Sequence, residues 1–275
     1  MSEVYEVTTQ VPQESSASTR HVGGYGPIII IWVARCAFAA IFVVAWQVVA
    51  TRKVINPLFI GVPSEIAKYF WDGLFVNHSM VIDLAWTMAG TAAAFAIGSL
   101  LGIVTGLIFS SYAHIEKFAE PFMSALNALP RIALAPLFLL WFGIGIASKI
   151  ALGASLTFFI VLSSTTAGVR SVDQDHEVLA QTLGASPGQV FFKITLPNAV
   201  PIIFSGLRLG LIYALIGDVA GEIIAAQHGL GEKLTYLAGT FQTDGVFAIL
   251  ILLAIVGGSV TGVMSAIEAR LLRWR

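Results

Sequence analysis

Six long apolar segments set the strongest limit on what this chain can fold into. The first covers residues 27–50 and reads PIIIIWVARCAFAAIFVVAWQVVA. As a helix of about 36 Å it would cross a hydrocarbon core of about 30 Å. The other five cover residues 84–110, 121–142, 149–169, 200–226 and 246–267. Only 11% of the 275 residues are charged, whereas soluble domains carry about a quarter. The sequence therefore predicts an all-α, polytopic membrane protein with six transmembrane helices.

Composition and motifs exclude several functions. A net charge of −1 gives no electrostatic footprint for nucleic acid, so no nucleic-acid partner is expected. The single cysteine, Cys36, provides neither a disulfide framework nor a thiolate cluster. The sequence contains no G-x4-G-K-[ST] or H-E-x2-H motif. We therefore expect no catalytic residue, no cofactor site and no metal site in this chain.

The pattern of polar and apolar segments predicts the domain organisation. The predicted segments are a disordered cytoplasmic tail at 1–26, a first transmembrane helix at 27–50, an extracytoplasmic loop with a short amphipathic helix at 51–83, and a core transmembrane domain at 84–275. The core domain includes one large polar loop, residues 170–201. An even number of spans places both termini on one side. If that side is the cytoplasm, ten basic residues lie inside and five outside, as the positive-inside rule requires.

The second predicted span carries glycines at regular intervals. Gly98, Gly102 and Gly106 are four residues apart and so share one helix face, which permits close approach of another helix. Packing within the chain is the preferred interpretation, and a dimer motif is the alternative.

The 170–201 loop carries signals for two short helices. Ser171 and Gln174 resemble a capping box that starts the first helix, and Gly184 is suited to end it as the C′ residue. Ser186 and Gln189, with a proline between them, start the second helix. Pro197 is expected to end that helix.

This loop resembles a known family. Residues 180–197, AQTLGASPGQVFFKITLP, are similar to the EAA loop of permease subunits of ATP-binding-cassette (ABC) importers. Four further fragments resemble the nitrate, sulfonate and taurine branch of these permeases: LLWFGIGIASKI at 139–150, GLRLGL at 206–211, GEIIAA at 221–226 and HGLGEKL at 228–234. The resemblance covers most of the chain from about residue 50 onward.

The resemblance implies a fold and a set of coupling residues. The fold is the type I ABC importer, or MetI-like, permease fold, and the loop would dock in a groove of an ATPase subunit. The motif glutamate normally stands at the position of Val178, and Glu177, one residue earlier, would take its role. The implied coupling residues are Glu177, Ala180, Gly184, Ala185, Ser186, Ile194, Leu196 and Pro197.

The resemblance also implies the partners. Two copies of the chain would form a homodimer in the lipid of a bacterial inner membrane, with the first span of each copy against the other. Two separate ATPase subunits would bind ATP and Mg, and an extracytoplasmic binding protein would deliver a small organic or oxyanion solute. The chain would not be an enzyme by itself, although it would belong to a complex that hydrolyses ATP.

Asp218 and Glu222 are unusual because they lie four residues apart inside the fifth span. An ionisable group at mid-bilayer costs about 2.5–3.5 kcal/mol on insertion scales and normally faces a cavity or a partner. Three interpretations remain open: structural pairing with Arg131 or Arg208, a lining of the translocation path, and a position at the outer mouth beside residues 229–231. Carboxylates on the path would favour a cationic or hydrogen-bonding substrate over an anion.

The third span offers a second candidate path lining. Pro130 and Pro136 interrupt it and flank Arg131, and Trp141 follows. Transporters place binding groups at broken helices near mid-membrane. A kinked helix that only packs is the alternative.

Other transporter classes would also fit six apolar spans. A secondary transporter or channel, driven by an ion gradient, could use Asp218 and Glu222 as a proton or cation site. An ABC exporter is a weaker alternative. The capped helices of the 170–201 loop favour the ATPase-coupled importer, because a protein without a cytoplasmic motor has no need of them.

Overall fold

The computed structural model describes residues 26–272, and the regular secondary structure in that range is entirely helical. The α-helices are α1 Gly26–Thr51, α2 Pro57–Ile60, α3 Pro63–Trp71, α4 Ser79–Ser111, α5 Ala113–Ala128, α6 Ala135–Phe142, α7 Ile146–Arg170, α8 Gln174–Thr182, α9 Pro187–Val190, α10 Leu196–Ala225, α11 Leu230–Gly239 and α12 Thr243–Leu271. π-Helical turns cover Asp72–Val76 and Phe191–Thr195, and a 3-10 turn covers Arg131–Leu134. The predicted all-α class is confirmed, whereas the predicted tail lies outside the described residues except for Gly26.

Five helical segments are long and apolar enough to cross a membrane. They are Ile30–Thr51, Ser79–Ser111, Ile146–Arg170, Pro187–Ala225 and Thr243–Leu271. A sixth span is the bent pair His114–Ala128 and Arg131–Phe142, whose axes meet at 88°. Counting the pair as one span gives the six that the sequence predicts.

The break in the third span has a local cause. Leu129 precedes a proline and adopts an extended conformation (φ −69°, ψ 133°), because the proline ring disfavours the helical region at the residue before it. Pro136 lies in the first turn of α6, where a backbone N–H is not needed. The two prolines therefore end one helix and start another.

The chain divides into two compact units, the first ending at Ala45 and the second beginning at Trp46. In the first unit, α1 is apolar along its length, and the Arg35 guanidinium lies 5.2 Å from the centre of the Trp32 ring.

The core of the second unit is formed by α4, α7 and α10. The glycine stripe of α4 faces α7. A Cβ added to Gly98 would lie 2.6 Å from the carbonyl oxygen of Ala154, and one added to Gly102 would lie 2.8 Å from that of Phe158. Any side chain at these positions would separate the helices. The prediction that the stripe packs within the chain is confirmed.

A second layer closes one end of this core. The buried side chains of α3, α4, α11 and α12 form one cluster that includes Ile66, Met80, Leu237 and Ile249. Two polar contacts hold the layer in place. Asp244 Oδ1 accepts a hydrogen bond of 2.7 Å from the Val62 N–H, and Lys233 pairs with Asp83 at 2.8 Å. This layer positions the start of α11 against α10.

Candidate functional sites: the 170–201 loop and a buried charge cluster

The first helix of the 170–201 loop begins later than the sequence predicts. Asp173 is its N-cap, and Asp173 Oδ1 accepts from the Asp175 N–H at 2.9 Å. The predicted capping box of Ser171 with Gln174 is wrong, because α7 continues to Arg170. Ser171 therefore lies at the C-terminal end of α7 and donates its hydroxyl to the Gly168 carbonyl at 2.8 Å.

Gly184 ends this helix as predicted. Its φ is +87°, in the left-handed region that favours glycine. The Gly184 N–H donates to the Gln181 carbonyl at 2.9 Å, and the Ala185 N–H donates to the Ala180 carbonyl at 3.0 Å. This is the Schellman arrangement, and it makes a tight, hydrogen-bonded hinge between α8 and α9.

The second helix starts as predicted but does not end where predicted. Ser186 and Gln189 form a reciprocal capping box, with hydrogen bonds of 2.9 and 3.4 Å. Pro197 does not end the helix, which continues through Ala225 as one 39-residue segment. In the π turn before it, the Leu196 N–H donates to the Phe191 carbonyl. Pro197 then enters in the first turn of α10, where no backbone N–H is required.

Glu177 ties the short helix to the long one. Glu177 Oε1 accepts a hydrogen bond of 2.8 Å from the Thr195 hydroxyl, which lies in the π turn that leads into α10. Val178, at the position where the resembling loops have their glutamate, is exposed. The neighbouring carboxylate therefore faces the following helix, and its hydrogen bond links α8 to the base of α10.

Three apolar side chains are exposed on and beside α8. Val178, Leu179 and Leu183 are all exposed. Leu179 and Leu183 line a groove of about 370 Å³, whose far wall includes Lys193 and Ile194. A short, capped helix with exposed apolar side chains is suited to docking on another protein.

The base of the loop is joined to the membrane core by an ion pair. Arg170, the last residue of α7, pairs with Glu116 in the first turn of α5. A movement of the loop would therefore reach both α7 and α5.

The second candidate site is a buried charge cluster around Glu222. The side chains of Glu222 and Lys149 are 0% and 4% exposed, and Lys149 Nζ lies 2.8 Å from Glu222 Oε1. The Glu222 carboxylate also accepts from the Thr87 hydroxyl at 2.9 Å and from the Gly231 N–H at 2.9 Å. Glu222 thus joins α4, α7, α10 and α11.

The predicted partners of the carboxylates are wrong. Arg208 is 14 residues before Glu222, about 21 Å along the same helix, and pairs with Glu268 at 3.3 Å. Arg131 bonds Asn127. Lys149 escaped the sequence analysis because it stands at the start of an apolar span, where a lysine is expected to reach toward the membrane surface. The available signal was local to the fifth span, where two acidic residues stand with one basic residue.

The cluster also accepts hydrogen bonds from the first backbone N–H groups of α11. The Leu230 N–H donates to the Thr87 hydroxyl at 2.9 Å, while the Gly231 N–H donates to Glu222. Two of the donors that a helix N-terminus leaves unpaired are thereby bonded, and the carboxylate is favoured there by the helix dipole. A Cβ on Gly231 would lie 2.6 Å from the Val219 carbonyl oxygen, so the close approach of α11 to α10 requires glycine.

Asp218 lies one turn before Glu222 and is fully buried. Its Oδ2 accepts a hydrogen bond of 3.3 Å from the Thr91 hydroxyl, and its Oδ1 has no hydrogen-bond partner. A Cβ on Gly90 would meet the Asp218 carboxyl group, so Gly90 makes the space that the side chain occupies.

We expect Asp218→Asn to leave the thermal stability of the purified protein unchanged or raise it, because asparagine has the same shape and no unpaired charge. Glu222→Gln is the matched comparison and should destabilise, since it leaves Lys149 buried without a counter-charge. Melting in detergent checks both variants. A larger loss for Asp218→Asn than for Glu222→Gln would contradict this view of the cluster.

The two candidates of the broken span are separated in the structure. The Arg131 guanidinium lies 4.1 Å from the centre of the Phe159 ring and lines a cavity of about 360 Å³. Trp141 is exposed and contacts Phe138 edge-on, with ring centres 6.0 Å apart. The structure therefore places Arg131, and not Trp141, at the wall of this cavity.

Comparison with known proteins decides the family. Residues 98–273 match the profile of the binding-protein-dependent transport system inner membrane component family. The chain belongs to this family. It is a multi-pass inner-membrane permease component of an ABC transporter, and the ATPase of such a transporter is a separate subunit.

Curated relatives match nearly the whole permease. A formylaminopyrimidine transport permease of Halalkalibacterium halodurans is 32% identical and aligns with 86% of this chain and 94% of its own. A taurine transport system permease of Escherichia coli is 33% identical, over 86% of this chain and 87% of its own. A putative aliphatic sulfonates transport permease of Bacillus subtilis is 30% identical, over 98% and 97%. The predicted resemblance to the sulfonate and taurine branch is confirmed.

Solved structures show the same fold. The permease superposes on a chain of the inward-facing MetNI methionine ABC transporter with a TM-score of 0.59 and 19% identity, covering 67% of this chain and 92% of that one. A chain of an amino acid ABC transporter solved with histidines gives a TM-score of 0.57 at 20% identity, over 77% and 96%. The predicted MetI-like importer fold is confirmed.

Proposed function

We propose that this permease imports a small solute that an extracytoplasmic binding protein delivers. It works as a homodimer with two ATPase subunits, which hold the ATP and Mg, and its termini lie in the cytoplasm. Family membership supports the importer class, and the observation that carries the coupling role is the 170–201 loop. That loop presents a capped helix with exposed apolar side chains. It lies at the end of the bundle that is predicted to face the cytoplasm, together with ten of the fifteen basic residues.

The loop is built to transmit force from the ATPase. The proposed coupling residues act in two ways. Leu179 and Leu183 supply the exposed apolar face, whereas Glu177, Gly184 and Ser186 hold the two short helices in a fixed relation. The connection from this face to α10 is completed by the remaining coupling residues, which are Ala180, Ala185, Ile194, Leu196 and Pro197. Closure of the ATPase dimer on ATP would move α8, and the rigid link to α10 would carry the movement into the membrane.

The solute is proposed from the relatives and from the position of the charges. The relatives' names include a formylaminopyrimidine, taurine and aliphatic sulfonates, which are all small polar organic molecules. The burial of Asp218 and Glu222 supports the structural interpretation of these carboxylates over a path lining. Without them on the path, the objection to an anionic solute no longer holds. We assign the translocation path to the broken third span instead, where Arg131 lines a cavity.

Reconstitution tests the proposal. A tagged permease purified from native membranes in mild detergent should bring an ATPase subunit with it. In vesicles, solute uptake should require ATP and the loaded binding protein. Uptake driven by a proton or sodium gradient without ATP would instead support a secondary transporter. Transport that needs ATP but no binding protein would support an exporter.

A further inference from the structure

Arg131 is a cation without a counter-charge. Lys149, Arg170, Arg208 and Lys233 each pair with a carboxylate. The Arg131 guanidinium pairs with none among residues 26–272; it donates from Nη2 to Asn127 Oδ1, and its Nε is buried with no hydrogen-bond partner. A charge in a spanning segment is costly and normally faces a partner or a cavity, and an unmet donor on a charged group adds to that cost.

The surroundings of Arg131 show what could meet this charge. The cavity of about 360 Å³ that it lines has the size of a small-molecule site. Asn127 and Tyr213 provide the other polar groups of the wall, and Leu156 and Ile160 are among its aliphatic residues. One charged corner in a largely apolar wall fits a molecule with an anionic head and an apolar body.

An aromatic ring lies against the Arg131 guanidinium. The centre of the Phe159 ring lies 4.1 Å from the guanidinium carbon, and this cation–π contact stabilises the cation without neutralising it. The donors of an arginine point outward in the plane of the group, in a fork that matches the oxygens of a sulfonate, carboxylate or phosphate. The contact with Phe159 therefore helps to keep this fork at the cavity.

A neighbouring cavity is acidic but makes a weaker site. It has a volume of about 190 Å³, shares Asn127 with the first and is lined by Glu116 and Glu120. Glu116 is already paired with Arg170, and Glu120 is exposed, so water can solvate its charge. Arg131 is only partly exposed and pairs with no carboxylate among residues 26–272, which favours an anion over a cation as the ligand.

We propose that Arg131, together with Asn127 and Tyr213, binds the anionic head of the transported solute, whose apolar part lies against Leu156 and Ile160. This assignment rests on the proposed function, and it identifies the solute class as small organic oxyanions. Arg131 would thereby select the solute a second time, after the binding protein.

Binding to the purified permease–ATPase complex without nucleotide tests the site. Radiolabelled butane-1-sulfonate should bind the wild type about tenfold or more tightly than neutral butane-1-sulfonamide, because a charge-assisted hydrogen bond is worth about 1.5–3 kcal/mol. Arg131→Gln should bind the two probes equally. Arg131→Lys retains the charge and loses the fork, so it should keep part of the preference for the sulfonate. It also serves as a control for misfolding of Arg131→Gln. Lys117→Gln removes an exposed cation from α5 and should match the wild type.

Several outcomes would overturn the site. These are equal binding of the sulfonate and the sulfonamide by the wild type, an unchanged preference in Arg131→Gln, and tighter binding of butylamine that Glu120→Gln abolishes. Butanoate and butyl phosphate extend the series to the other oxyanions, and binding of none of the three anions would also contradict it. ATP hydrolysis stimulated by the binding protein is measured in the same preparations. If the binding protein does not stimulate ATP hydrolysis by the wild-type complex, the proposed function is contradicted. If it does stimulate hydrolysis but the wild type shows no preference for the anion, only the Arg131 site is contradicted.

Discussion

Replacing Lys149 with Met is expected to destabilise the permease by about 3–5 kcal/mol, because it leaves the Glu222 carboxylate buried without its counter-charge. Both side chains are almost fully buried and lie 2.8 Å apart. The same carboxylate holds the start of α11, so α11 should detach first. Thermal unfolding in detergent measures the stability loss, and protease cleavage in residues 226–229 reports the detachment.

Lys233→Met is the matched control for this experiment. Lys233 and Asp83 are also 2.8 Å apart, but their side chains are 16% and 18% exposed, so solvent screens the charge that remains. The double variant Lys149→Met with Glu222→Gln removes both buried charges and should recover most of the lost stability. A Lys149→Met protein as stable as Lys233→Met would show that the buried pair does not hold the bundle together.

Replacing Gly184 with Val is expected to reduce the solute moved per ATP hydrolysed by about tenfold or more. The residue has a φ of +87°, and a β-branched side chain there costs about 1–3 kcal/mol of backbone strain. The α8–α9 hinge would relax to another geometry, so closure of the ATPase would no longer move α10. Uptake and ATP hydrolysis measured in the same vesicles give the ratio, and co-purification of the ATPase shows that the complex still assembles.

Gly188→Val is the control that distinguishes backbone strain at Gly184 from the effect of simply adding a side chain to this loop. Both glycines belong to the same loop, and a Cβ added at either position meets no atom within 4 Å. Gly188 lies in α9 and lacks the positive φ, so the same substitution should preserve coupled transport. A loss of coupling in both variants would show that the loop tolerates no side chain there, and would contradict the role given to the conformation of Gly184.

Local signals made the loop predictable. The end of α8 at Gly184 and the capping box at Ser186 depend on residues within a few positions of each other, so the sequence pattern contains all the information required. The end predicted at Pro197 failed because the π turn at 191–195 lets the proline enter a continuing helix. The helix start predicted at Ser171 failed for a related reason, since α7 reaches Arg170 before the turn begins.

The charge cluster was harder to predict because its contacts are distant in sequence. Lys149 and Glu222 are separated by 73 residues, and Thr87 and Glu222 by 135. Spacing on one helix correctly placed Asp218 and Glu222 on a shared face. It could not identify the helix that packs against this face, α7, or the lysine which that helix contributes. The cavity at Arg131 likewise depends on Tyr213 and Leu156, which come from other helices.

The apolar runs by themselves determined that this is a helical membrane protein with several crossings, because lipid offers no hydrogen bonds and each crossing must satisfy its own backbone. Helix caps and the loop motif, which are equally local, predict where we propose that an ATPase docks. The tertiary structure alone decided which charges neutralise each other and which remains open to a ligand. A buried charge takes the partner that helix packing brings within about 3 Å, and the packing of α4, α7 and α10 places a lysine at Glu222 and leaves Arg131 at a cavity.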